Sequence, residues 1–292
     1  MQPSERAVQS GWSLRRDGVV QKAVSFVERQ LRRFPRTYRF ASRSLYRIDP
    51  SFYTLSPGLP QAQRTALAEL KSKGLLQKTD YYEFGVFRGY ALYTAQKSAR
   101  QLGAESTHFY GFDSFAGLPA VDGIDAESTF FEGQFSCSRE FVANALEKHG
   151  ADLSTITLVE GFFEDTLKPA LRAQHSFKPV GIALIDCDLY SSTVPVLRWL
   201  DDLLQPGSIL MMDDWRAFDG DPAKGQQRAL SEWLALRTDL EIEPMFDFAA
   251  YGRALRLCEA KSKPRSQVTS RRGRVLCSGS ASHHAVELDQ RE

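Results

Sequence analysis

The chain is poor in residues that build covalent or metal frames. Four cysteines stand in 292 residues, at 137, 187, 258 and 277, with no pair at C-x-x-C spacing. That excludes a disulfide scaffold and a zinc ribbon, and it leads to an expectation of reduced thiols in a cytoplasmic protein. The five histidines, 108, 149, 175, 283 and 284, are not set at ligand spacing. An imidazole metal site is therefore not expected. No apolar run approaches the ~20 residues that span a bilayer. The opening MQPSERAVQSGWSLRRDG also lacks the apolar stretch of a secretory signal. No G-x-G-x-x-G fingerprint is present where a glycine turn does occur, which argues against a nicotinamide-dependent oxidoreductase. Internal repeats are absent, and 37 Lys and Arg nearly balance 36 Asp and Glu.

That balance hides a division. Residues 1–60 carry 11 basic and four acidic groups, residues 261–292 seven and three, and residues 61–260 only 19 basic against 29 acidic. The expected organisation is a basic, partly helical N-terminal extension (1–60), an acidic body (61–260) and a basic, core-less tail (261–292) expected to be disordered. In the extension Val20, Val24, Val27 and Leu31 form one helical stripe. Such a stripe permits contact with an anionic membrane surface, although a packing helix is the simpler reading. A basic arm also suits nucleic acid, but a body of net charge −10 repels a polyanion from the site.

Residues 80–260 alternate short apolar runs with helical stretches. DYYEFGVF, THFYGFD, TITLVEG, GIALIDCD and GSILMMDDW read as strands. Helices are expected over about 91–102, 139–149, 192–204 and 222–236, with another over QAQRTALAELKSKG ending at Gly74. This spacing predicts an α/β fold with a parallel sheet covered on both faces. LEIEPMFDF and GRALRLCEA, joined around 249–251, predict an antiparallel hairpin at its end.

Ligands in such sheets bind beyond the carboxyl ends of the strands. The first strand ends in the turn Gly85-Val86-Phe87-Arg88-Gly89, whose glycines admit close backbone approach. Asp113 ends the second and is placed to accept both ribose hydroxyls of an adenosine, or else is a plain loop carboxylate. Phe162 and Phe163 follow the third, as flanks for an adenine or as core aromatics. Arg88, in the glycine turn, is read as solvated, with steering of an acidic substrate as the alternative. Asp186 ends the fourth strand, with Asp188 on its side if the strand persists. Asp213 and Asp214 end the fifth. Carboxylates without His or Cys suit a hard cation such as Mg2+, while a helix cap at Asp213 and a strand end at Asp186 are the structural alternatives.

Five runs carry a resemblance: EFGVFRG (83–89), FDSFAGLP (112–119), EGFFEDTL (160–167), IDCDLYSST (185–193) and LQPGSILMMDDW (204–215). In that order they resemble the macrocin O-methyltransferase-type family, class I S-adenosylmethionine-dependent enzymes that methylate sugar hydroxyls. The likeness covers roughly residues 52–258. It implies a Rossmann-like seven-stranded sheet, S-adenosyl-L-methionine and Mg2+ as cofactors, and a sugar-like small-molecule acceptor. It further implies that Asp186, Asp213 and Asp214 hold the ion and that Asp188 is the general base. Glu83, Gly85, Asp113, Ser114, Gly161 and Phe162 would hold the cofactor, and the glycine turn adds Gly89. The acceptor's identity and the oligomeric state are left open, a homo-oligomer included. The competing classes are a nucleic-acid methyltransferase and a non-catalytic nucleotide-binding module on the same sheet.

Overall fold

The computed structural model describes residues 52–128 and 130–260. The N-terminal stripe, most of the basic extension and the tail lie outside the described residues.

A first helix, α1 (Leu59–Ser72), precedes the sheet. The order is then β1 (Asp80–Phe84), α2 (Tyr90–Gln101), β2 (Phe109–Asp113), α3 (Arg139–Lys148) and β3 (Ile156–Glu160). It continues with the short helices α4 (Phe163–Thr166) and α5 (Pro169–Gln174), then β4 (Val180–Ile185), α6 (Tyr190–Leu200), β5 (Ile209–Met212), α7 (Gly225–Ala235), β6 (Leu240–Phe248) and β7 (Gly252–Glu259). The seven strands lie in the order β3-β2-β1-β4-β5-β7-β6. β1 to β5 run parallel; β7 pairs antiparallel with both β5 and β6. The expected hairpin is therefore present and closes one side of the sheet.

Strand periodicity explains the two-sided core. Tyr81, Phe109, Ile182, Leu184 and Met211 face a cluster shared with α1, α2 and α3. Tyr82, Phe84, Phe112, Ile185 and Met212 face the opposite cluster with α6 and α7. Every residue of β1, β4 and β5 is buried, as expected of strands covered on both faces. The last helices are shorter than expected: α6 starts at Tyr190 and stops at Leu200, and α7 covers Gly225–Ala235. α4 and α5, of four and six residues, escape a periodicity reading because neither completes two turns.

Register places the strand tips. Phe84 aligns with Ile185, and Ile185 with Met212. The ladder runs one residue further: Gly85 N donates to Phe112 O, Asp186 N to Phe84 O and Asp213 N to Ile185 O. Gly85, Asp186 and Asp213 thus stand level at the carboxyl rim. Strand order reverses between β1 and β4, which is where open α/β sheets bind ligands.

Candidate active site

A cleft of about 850 Å³ opens at this rim, a size within the range of small-molecule and cofactor sites. Gly85, Asp113, Ser114, Gly161 and Phe162 line one part of it, and Asp186, Asp188, Asp213 and Asp214 another. Nine residues singled out in the sequence therefore share one cavity. Glu83 and Gly89 do not line it. Gly89 (φ +80°) starts α2, and a Cβ there would stand 2.9 Å from Val142 Cγ1. Its smallness lets α2 pack against α3.

Glu83 lies inside β1 with no exposed surface. It belongs to a buried network: Tyr81 Oη donates to Glu83 Oε2, Gln63 Nε2 donates to Tyr81 Oη, and Thr94 Oγ1 donates to Gln63 Oε1. Burial pushes the Glu83 carboxyl up to about 8, against the opposing bond from Tyr81. The unfolded chain releases this proton near pH 4.5, the folded one only near 8. Stability from this group is thus full below about pH 4.5 and falls as pH rises towards 8. Glu83→Gln removes the titration. Between pH 5 and 7.5, the unfolding free energy of the native chain should drop by about 3 kcal/mol relative to Glu83→Gln, measured by urea denaturation.

Asp113 holds the glycine turn. Its Oδ2 accepts from Val86 N (2.7 Å) and Phe87 N (2.9 Å), and its Oδ1 from Phe115 N (2.7 Å). Burial raises its pKa and these three amides pull it back. Three of a carboxylate's roughly four acceptor positions are used, so one bond to a ligand remains. Ser114 Oγ donates to Gly117 O and accepts from Ala116 N, which shapes the next turn. The two phenylalanines differ. Phe162 is 40% exposed, whereas Phe163 packs edge-on against Phe84 in the core.

The carboxylate rim has a different shape from the one expected. β4 ends at Ile185, so Asp188 is not on a continuing strand. It sits in the left-handed region (φ +62°), where Asp is better tolerated than most residues. There its amide donates to Asp214 Oδ2 at 3.0 Å. Asp213 Oδ2 accepts from Ser56 Oγ at 2.6 Å. Its Oδ1 is buried and has no hydrogen-bond partner. Burial raises Asp186 well above the ordinary carboxylate range, and Asp213, Asp214, Asp188 and Glu83 raise it further. Asp214 is raised by burial, then by Asp188 and Asp213, and burial pushes Asp213 up to about 6. The charges acting on Asp186 and Asp214 are all carboxylates.

In donor type and charge this rim fits a hard divalent cation. All its side-chain donors are oxygens, one buried oxygen lacks a partner, and its negative charges repel one another. It is not gathered into a cage. Among the described residues no group of three or more His, Cys, Asp or Glu side chains is disposed to hold a metal ion. Asp213 is hydrogen-bonded to Ser56 and Asp214 to the amide of Asp188.

Other contributors were missed in the sequence. Ser56 carries no motif. Gln226, in the first turn of α7, accepts from Asp214 N through Oε1 and donates to Ile185 O through Nε2, tying the tips of β4 and β5 together. Asp125 is buried and accepts from Tyr190 N and Ser191 N, capping α6 from 65 residues away. Arg88, taken as solvated, is 1% exposed. Its guanidinium lies over the rings of Tyr53, Phe87 and Phe141. No local pattern could have revealed these long-range contacts.

Strand order, glycine turn and acidic rim together define a class I methyltransferase-type α/β domain. The profile of the macrocin-O-methyltransferase (TylF) family matches residues 62–233, and the chain belongs to that family. It is 29% identical over 142 residues to an 8-demethyl-8-(2,3-dimethoxy-alpha-L-rhamnosyl)-tetracenomycin-C 4'-O-methyltransferase of Streptomyces olivaceus. That match spans 47% of this chain and 52% of the relative, about half the relative's length. Two solved structures share the fold. The O-methyltransferase NovP has a TM-score of 0.56 and 20% identity over 69% of this chain and 79% of its own. The calicheamicin methyltransferase CalS11 has a TM-score of 0.53 and 22% identity over 68% and 77%. Among the described residues no helix is long and apolar enough to cross a membrane.

Proposed function

We propose that the protein transfers a methyl group from S-adenosylmethionine to a hydroxyl of a sugar or glycosylated small molecule, assisted by Mg2+. The observation that carries this reading is the placement of a carboxylate rim and a glycine turn in one cleft. Family membership and the tetracenomycin-type relative support the acceptor class.

S-adenosylmethionine supplies an electrophilic methyl on a sulfonium. The nucleophile is the difficulty. An alcohol near water's pKa of ~15.7 and an ordinary Asp near ~3.9 differ by about 12 units, or roughly 16 kcal/mol. Asp186, Asp213 and Asp214 would supply the carboxylate oxygens for Mg2+, and a bound ion would contribute the Lewis acidity that lowers this gap. Asp188 accepts the hydroxyl proton as the C–O bond forms and the C–S bond breaks. Gly85 admits the cofactor against the backbone, Asp113 holds that turn and offers one acceptor position, and Phe162 provides an exposed ring beside it. Gln226 keeps the tips of β4 and β5 in register, so base and carboxylates share one frame.

The test is methyl transfer from labelled cofactor to sugar nucleotides, neutral glycosides and catechols. EDTA should lower turnover at least tenfold, and added Mg2+ should restore it. Asp186→Ala should lose 10- to 100-fold or more and resist rescue. Turnover indifferent to EDTA and to Asp186→Ala would remove the metal from the reading, and absence of transfer to every hydroxyl acceptor would remove the reaction.

A further inference from the structure

α6 begins two residues after Asp188, and its local sequence supplies no cap. The N-cap residue is Leu189, which makes no side-chain cap bond, where Ser, Thr, Asp or Asn is favoured. The first amides of a helix have no partner inside it. Here two of them are met from far upstream: Tyr190 N donates to Asp125 Oδ1 at 2.9 Å and Ser191 N to Asp125 Oδ2 at 3.0 Å. Both oxygens of one carboxylate thus close the helix start.

Asp125 is itself firmly placed. It is 1% exposed and ends the short 3-10 turn Gly123–Asp125, where its amide donates to Asp122 O and its carbonyl accepts from Ser128 N. Two residues on, Glu127 pairs with Lys224, just before α7. The base of this arm is closed by Leu118 N on Gln134 O and Gly133 N on Leu118 O. Leu118, Asp122 and Glu127 of the arm line the cleft, as do Asp188 and Ser191. The carboxylate therefore joins one wall of the cleft to another.

The turn it reaches is held amide by amide. Asp188 N donates to Asp214 Oδ2, Leu189 N to Cys187 O, and the next two amides to Asp125. Asp188 itself has φ +62°, a conformation that persists in a non-glycine residue only where its surroundings enforce it. Asp214 fixes the turn on its rim side and Asp125 on its helix side. Without the Asp125 carboxylate, two amides lose their acceptor and the first turn of α6 is free to fray. The side chain of Asp188 then shifts with it, and a displacement of about 1 Å costs up to about 100-fold in rate. We propose that Asp125 is a positioning residue: from the cleft wall it fixes the turn that carries Asp188. The inference rests on Asp188 as proton acceptor and is independent of any bound ion.

The test is hydrogen–deuterium exchange of the full-length protein, read by mass spectrometry, beside single-turnover methyl transfer at saturating cofactor and acceptor. In Asp125→Ala, exchange over residues 186–192 should quicken about 3- to 30-fold, the range of a lost helix cap, and the single-turnover rate should fall about 10- to 100-fold. Asp125→Asn keeps one acceptor oxygen and should lie between the two in both readouts. Native exchange over 186–192 in Asp125→Ala overturns the inference. So does faster exchange with a native single-turnover rate, which leaves Asp125 a plain helix cap, and so does quickening spread evenly over all the strands. Asp188→Asn, run alongside, separates this inference from the reading beneath it. A slow Asp188→Asn beside a native Asp125→Ala leaves the proton-acceptor reading standing, whereas a native rate in Asp188→Asn removes that reading and this inference with it.

Discussion

Asp188→Asn should lower the rate of methyl transfer by about two to four orders of magnitude, the range typical of a lost general base, while S-adenosylhomocysteine still binds as in the native chain. The substitution separates charge from geometry. Asp188 occupies φ +62°, a conformation Asn adopts as readily as Asp. Its contact with Asp214 runs through the backbone amide, which Asn keeps. The turn before α6 should therefore persist, held by Asp125 on the amides of Tyr190 and Ser191. The carboxylate that would accept the proton is removed while these backbone bonds remain. Single-turnover rates measured with saturating cofactor isolate the chemical step. A variant with native single-turnover rates would show that the proton leaves by another route and that Asp188 serves the turn alone.

Gly85→Ala should be the most damaging single methyl in the domain. A Cβ at Gly85 would stand 1.7 Å from Asp186 O and 2.8 Å from Asp186 C. Both atoms are backbone of the neighbouring strand, and Asp186 N is itself bonded to Phe84 O, so the obstacle cannot swing aside. The residue also has φ +93°, which costs an alanine about 1–2 kcal/mol before any clash. A loss of more than about 4 kcal/mol in unfolding free energy is expected, together with loss of S-adenosylhomocysteine binding. Gly103→Ala is the control: its φ is +82°, but no atom stands within 4 Å of the added carbon. That variant should show only the backbone cost, on the order of 1–2 kcal/mol. Urea denaturation of the two variants compares them directly. Equal losses would mean that the tips of β1 and β4 part easily.

Much of the fold was legible because its signals are local. The apolar runs ending at Phe84, Asp113, Glu160, Ile185 and Met212 announce buried parallel strands, and the hairpin shows in two strand-like runs joined by three residues. In the site, Gly85 and the acids at 113, 186, 213 and 214 were legible from position alone, since each follows a strand end. What failed needed distance information. The burial of Glu83 and its bond from Tyr81 are not visible in the sequence. Arg88 looks solvated because arginine usually is, yet three aromatic rings from separate segments enclose it. Whether the strand continues to Asp188 was open in the sequence, and it stops three residues earlier.

Sequence alone determined the class of the protein: which segments pair as strands, where glycine permits close approach, and that its acids fall at strand ends. Those properties follow from side-chain periodicity and backbone sterics within a few residues. Only the tertiary structure decided how the acids are held. Ser56 on Asp213, Gln226 between β4 and β5, and Asp125 on α6 join positions 12 to 157 residues apart, and the closing of such contacts is governed by packing of the whole sheet, which no short window of sequence contains.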